Sequence, residues 1–152
     1  FEQLSDQNWQ LLVVGDGPAR GQVEAALGTD NVHYLGELAE GDISPILAGS
    51  DLFVWPAVNE AYGMAMLEAQ AMGLPVVAGR TGGVGDIIRD QETGLLCEVG
   101  NPLAFANTMA TLLENPSLRE DMSQMALKLI RQEHSLKQAA ETLNITLTSL
   151  QL

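Results

Sequence analysis

The sequence predicts an α/β protein in which parallel strands are joined by crossover helices lying on both faces of the sheet. Short apolar runs bounded by glycine, proline or polar residues recur at 10–14, 32–35, 52–55, 75–78 and 94–98, and helical patterns separate them. Glycine-containing loops follow the runs, where strands would hand over to helices. Alternation of this kind is what right-handed crossover connections require.

The first run leads through Gly15-Asp16-Gly17-Pro18 into a helical pattern at 19–27, the second into 43–48, the third into 62–72 and the fourth into 84–88. Three longer helices close the chain, at 102–113, 116–133 and 135 to about 149. Proline opens two of them, where its missing N–H costs nothing. A helix-like stretch at 1–8 has no start signal. The chain begins with Phe1 and reads as part of a longer protein, its residues 1–152 forming a single domain.

Composition excludes several classes. A 152-residue chain that is 46% hydrophobic can build a core. Seven basic against twenty acidic residues give a net charge of −13, which repels a polynucleotide backbone, so no nucleic-acid partner is expected. Cys97 is the sole cysteine, so no internal disulfide forms and a reducing, cytoplasmic compartment is expected. Cys97 reads as a buried strand residue. His33 and His134 lack metal-ligand spacing, and neither a metal site nor a cofactor is expected. No apolar run reaches the roughly 18 residues of a transmembrane segment.

The chemistry concentrates at the carboxyl ends of the strands, where open parallel sheets bind ligands. Glu60 and Glu68 flank Ala61-Tyr62-Gly63-Met64-Ala65-Met66-Leu67. The helix over 62–72 is apolar nearly all round and is expected to be buried, with Glu68 turned into a cavity, because an unpaired carboxylate in an apolar interior is costly. Glu60 precedes the helix, whose positive end and free amides favour negative charge and would also attract a phosphate. The plainer reading makes Glu60 a charge at a helix start and Glu68 a solvated residue.

Two glycine loops have competing readings. Gly15-x-Gly17 resembles a dinucleotide fingerprint, but Arg20 stands where the third glycine belongs and Pro18 lies inside the turn. A tight strand-to-helix turn is favoured, with Arg20 near a ligand as the functional option. In Gly79-Arg80-Thr81-Gly82-Gly83-Val84-Gly85-Asp86, glycine either lets backbone approach a ligand or serves loop geometry alone, and Asp86 either caps the next helix or accepts from a sugar hydroxyl. Arg20 and Arg80 are the candidate cations for a diphosphate.

Taken together, Leu12-Val13-Val14-Gly15-Asp16-Gly17-Pro18, Glu60-Ala61-Tyr62-Gly63, Glu68-Ala69, Gly73-Leu74-Pro75-Val76-Val77, Gly82-Gly83 and Gly94-Leu95-Leu96 resemble, in order and spacing, the carboxyl-terminal domain of retaining GT-B glycosyltransferases of group 1. The resemblance implies a Rossmann-like domain, here lacking its first strand-helix unit, that binds a UDP-, GDP- or ADP-sugar opposite an amino-terminal acceptor domain. It implies transfer of the sugar with retention of anomeric configuration, and inactivity of this piece alone. Glu60 would contact donor sugar hydroxyls near the reacting carbon, as the catalytic carboxylate, and Glu68 the ribose.

By the same resemblance, Ala61, Tyr62, Gly63 and Met64 would surround the diphosphate, Glu37 and Leu38 would border the base, and Gly15, Gly17, Arg20, Gly82, Gly83 and Asp86 would complete the donor side. Gly85-Asp86 replaces the proline and glutamate usual after the paired glycines, which shortens the reach of that carboxylate. The arginine and lysine that usually hold the diphosphate would precede Phe1. Many relatives act on lipid or polysaccharide acceptors, which allows peripheral membrane association of the parent. A non-catalytic nucleotide-binding module, a nucleotide-sugar epimerase and, on Gly15-x-Gly17 alone, a nicotinamide-dependent dehydrogenase remain the alternatives.

Overall fold

The computed structural model describes residues 9–150, so the stretch at 1–8 lies outside the described residues. The chain forms two compact units that part between Ile46 and Leu47.

The first unit is a βαβ crossover. Strand β1 (Leu11–Val14), helix α1 (Arg20–Leu27) and strand β2 (Val32–Gly36) follow one another, and β1 pairs in parallel with β2, Leu11 opposite Val32. The register shifts after Val13, so that Val14 faces Gly36, whose φ of 68° suits glycine. The Tyr34 hydroxyl donates to the Gly28 carbonyl at 2.7 Å, tying β2 to the end of α1.

Helix α2 (Glu40–Ala48) begins in this unit and ends in the next. It starts three residues before the expected Ile43. Gly41 is a poor helix former, yet Glu40 and Asp42 lie in the first turn, where negative charge is favourable. Pro45 forfeits one backbone bond inside the helix.

The second unit holds a sheet ordered β3 (Phe53–Trp55), β4 (Val76–Gly79), β5 (Gly94–Cys97), all parallel. Val76, Val77, Ala78 and Gly79 are all buried, and since successive residues point to opposite faces, both faces of β4 are covered. Helix α3 (Met64–Ala71) packs on β3 and β4, while α5 (Pro102–Glu114) packs on β4 and β5. Both also meet α6 (Pro116–Glu133). Met66, Ile87, Leu112 and Met122 fill the core between these layers, each contributing about 1.5–3 kcal/mol by burial. Cys97 is buried on β5, as expected.

Local chemistry sets the boundaries. Gly73, at φ 80°, ends α3 by donating to Gln70, and Leu74 donates to Ala69, both at 3.0 Å; this is a Schellman stop, and Pro75 then releases the chain into β4. Asn101, Asn115 and Ser135 cap α5, α6 and α7 (Leu136–Ser149) by accepting from Ala104, Leu118 and Gln138. Arg119 donates to the Leu112 and Leu113 carbonyls at 2.6 and 2.9 Å, placing a cation on the negative end of α5. The outer edge of β5 is not left bare: the Leu96 amide donates to the Asp90 carboxylate at 2.9 Å and the Gln91 amide to Gly94 at 2.8 Å. Helix α4 (Val84–Ile87) is a single turn after β4. Among the described residues, no helix is long and apolar enough to cross a membrane.

The β4–β5 pairing leaves no room beside Gly94, where a methyl group would overlap the Val76 carbonyl oxygen and lie 3.0 Å from its carbon and nitrogen. Nothing lies within 4 Å of such a methyl at Gly85, and the backbone there is helical. Gly94→Ala is therefore expected to cost about 3 kcal/mol or more, and Gly85→Ala less than about 0.5 kcal/mol. Thermal unfolding followed by circular dichroism checks this; equal effects would contradict the packing account.

Candidate functional site

In the second unit, the segment between β3 and α3 leaves the sheet at the strand's carboxyl end. Trp55, Pro56, Ala57, Val58, Asn59 and Glu60 line a cleft of about 300 Å³ there. Ala57 is buried with φ at 45°, a left-handed conformation that costs a non-glycine residue about 1 kcal/mol or more. Glu60 is half-buried, and its Oε1 accepts from the Tyr62 amide at 3.4 Å. Gly63 follows at φ 95° as the N-cap of α3, and a methyl group on it would overlap the end of Met66 and come 3.6 Å from Cγ of Glu60.

The loop after β4 lies directly against this segment. A methyl at Gly79 would overlap the Pro56 carbonyl oxygen, one at Gly82 that of Glu60, and one at Gly83 would sit 2.7 Å from that of Ala61. The Gly83 amide donates to the Ala61 carbonyl at 3.1 Å. These glycines are thus explained by the packing of one loop on the other. The structure brings Glu60, Ala61, Tyr62, Gly63, Gly82 and Gly83 into one cluster at neighbouring strand ends.

The structure corrects three expectations. Helix α3 is buried on one face only: Met66, Ala69 and Gln70, at helical spacing, are inside, while Met64 and Met72 are exposed. Glu68 accordingly is exposed, does not line the cleft, and is solvated by position rather than by a cavity. The buried polar side chain of this helix is Gln70, whose Nε2 donates to the Ile87 carbonyl at 3.1 Å. Asp86 does not cap α4, whose N-cap is Gly83 with no side-chain cap; it lies exposed in the helix's first turn. Arg80 is paired with Asp90, and its amide donates to the Cys97 carbonyl at 2.8 Å.

In the first unit, Gly15, Gly17, Arg20 and Gly36 come together where β1 and β2 end. The Gly15 amide donates to the Gly36 carbonyl at 2.7 Å, and Gly15 has φ 117°. Asp16 accepts from the Gly17 amide at 2.7 Å and from Arg20 at 2.9 Å, while Arg20 Nε donates to Glu24 at 2.7 Å. The Gly17 amide, then the Arg20 guanidinium, hold the Asp16 carboxyl below its ordinary pKa; Glu24, then Asp16, raise that of Arg20. The spacing Asp16, Arg20, Glu24 is i, i+4, i+8, the signal in the sequence that would have found these partners. Glu37 is exposed and Leu38 half-buried just after β2. Burial raises the pKa of Cys97, whose thiol donates to the Ala78 carbonyl at 3.3 Å.

The family described as "Glycosyl transferases group 1" matches residues 1–129. N-acetyl-alpha-D-glucosaminyl L-malate synthase of Bacillus anthracis is 32% identical over 134 residues, 86% of this chain and 35% of that protein. The chain therefore spans about a third of that relative's length. The crystal structure of Anabaena HepE in complex with UDP superposes with a TM-score of 0.83 at 25% identity, covering 97% of this chain and 43% of that one. A carboxyl-terminal domain of a group 1 family protein, LpcC of Francisella tularensis, shares the fold, with a TM-score of 0.76 at 24% identity over 88% of this chain and 74% of that one.

Because the folded state lowers the Asp16 pKa, its ionised form adds stability above the ordinary value of 3.8, and that stability is lost as pH falls through the lower folded value. A carboxyl-carbon NMR titration is expected to place the midpoint below 3.8, and Arg20→Met to move it upward. A midpoint at or above that value would contradict the arrangement.

Proposed function

The chain belongs to the group 1 glycosyl transferases, and from that premise we propose that it is the donor-binding, carboxyl-terminal domain of an enzyme that moves a sugar from a nucleoside diphosphate to an acceptor with retention. The observation carrying this reading is Glu60 on the wall of the cleft at the end of β3, one turn ahead of the amino end of α3. A carboxylate suits sugar hydroxyls because each oxygen can accept two hydrogen bonds. The Met64 and Ala65 amides stand ahead of the first backbone bonds of α3, which Met66 and Leu67 make to the Gly63 carbonyl, and they suit the diphosphate whose charge grows as it leaves.

Anabaena HepE, whose fold this chain shares, was crystallised in complex with UDP, which supports a nucleotide as the ligand. Glu68, exposed farther along α3, is assigned the ribose hydroxyls, which an open carboxylate can reach without prior burial. The acceptor is assigned to an amino-terminal domain, and the parent enzyme to the cytoplasm, where it works on its own or peripherally at a membrane. Asp86 keeps the option of a sugar hydroxyl, since it has no capping duty.

Glu60→Gln in the full-length enzyme is expected to lower kcat about 100-fold or more with unchanged thermal stability. Glu68→Gln is expected mainly to raise the donor KM, by about tenfold. Steady-state kinetics on both variants, with the product's anomeric configuration read by proton NMR, make the test. Unchanged turnover in the Glu60 variant removes the catalytic role from Glu60, a wild type that binds nucleotide but transfers no sugar points instead to a non-catalytic nucleotide-binding module, and an inverted product removes the retaining assignment.

A further inference from the structure

We propose that Gln70 is a positioning residue for sugar transfer, holding Glu60 and the amino end of α3 in place through α4; this rests on the nucleotide-sugar reading above. Gln70 is fully buried on the inner face of α3, which it shares with Met66 and Ala69. Its Nε2 donates to the Ile87 carbonyl at 3.1 Å, and because that partner can only accept, the end facing it must be the nitrogen. The Oε1 at the other end is buried and accepts from no donor among the described residues.

A half-satisfied amide is a poor choice for stability. Its one bond returns little over what the unfolded chain has with water, while the orphaned oxygen is stripped of water without replacement. Methionine has nearly the same length and would fill the space with no polar atom to satisfy. What the amide alone supplies here is a directional link to one backbone atom.

That atom belongs to the support of the site. Helix α4 is a single turn, and Ile88 leaves it extended, at φ −99° and ψ 112°. The Gln91 amide, which would serve Ile87 had the helix continued, donates to Gly94 at 2.8 Å instead. The Ile87 carbonyl therefore takes its donor from α3. Cδ1 of the same residue reaches to 3.7 Å from where a Cβ on Gly63 would stand, and Cγ of Glu60 lies 3.6 Å from that point. At the other end of the turn, the Gly83 amide donates to the Ala61 carbonyl at 3.1 Å. Gln70 thus pins the far end of a short turn whose near end and whose Ile87 side chain meet the Glu60 segment and the N-cap of α3. Released from it, the turn can tilt, and a displacement of about 1 Å at reacting groups costs a large part of the rate.

The test is a double-mutant cycle in the full-length enzyme, Gln70→Met and Glu60→Gln singly and together, with kcat from steady-state kinetics and thermal unfolding followed in parallel. Gln70→Met is expected to lower kcat about tenfold, with an unfolding midpoint no lower than that of the wild type. Once Glu60→Gln is present, it is expected to change kcat by less than about twofold, since a residue that acts through another has nothing left to act through. A packing role alone would give no such dependence on Glu60. Should Gln70→Met fail to fold, Gln70→Leu takes its place, and failure of both overturns the proposal, because the amide would then carry the fold itself. Unchanged kcat, a fall in kcat that comes with a lower midpoint, or an equal fall in both backgrounds also overturns it. Unchanged turnover in Glu60→Gln alone removes the role assigned to Glu60, and that of Gln70 with it.

Discussion

The close contact between two backbone segments, one after β3 and one after β4, is the constraint on which the candidate site depends. Gly79, Gly82 and Gly83 lie so near the carbonyls of Pro56, Glu60 and Ala61 that any side chain would force the segments apart. Glu60 is therefore held by main chain, and among the described residues its carboxylate makes only a long contact, to the Tyr62 amide. A carboxylate fixed at its base and lightly bonded at its tip is available to a ligand's hydroxyl groups. The left-handed Ala57 in the same segment shows that the surrounding packing, and not local preference, dictates this path.

Electrostatics narrow what the site can use. The chain carries −13 overall, and Arg20, Arg80, Arg89 and Arg119 each lie in an ion pair with an acidic side chain. Arginines compensated in this way are poor phosphate anchors. Helix-terminal amides, which carry no counter-charge, then become the natural donors within the second unit.

The order and type of the elements are legible in the sequence because their signals are local: apolar runs for strands, proline at helix starts, and Gly73-Leu74-Pro75 for the turn into β4. The start of α2 is not, because Gly41 taken alone argues against helix, while the acidic first turn wins in context. Burial on α3 is hidden for a different reason. Its residues are apolar on several sides, so periodicity cannot say which side faces the sheet; the answer, Met66, Ala69 and Gln70, puts a polar amide in the core. The glycine loop is legible as special but not in purpose, since the atoms that demand glycine belong to a segment some twenty residues earlier in the sequence.

The central claim is that the Glu60 segment, seated on the glycine loop, grips the sugar of a nucleotide donor. A crystal structure of the full-length enzyme with its nucleoside diphosphate sugar bound tests this most directly. The account predicts a sugar hydroxyl within hydrogen-bond distance of the Glu60 carboxylate and the diphosphate at the amino end of α3. A donor seated instead in the cleft lined by Asp90, Gln91, Asn107 and Thr108, away from Glu60, would contradict it.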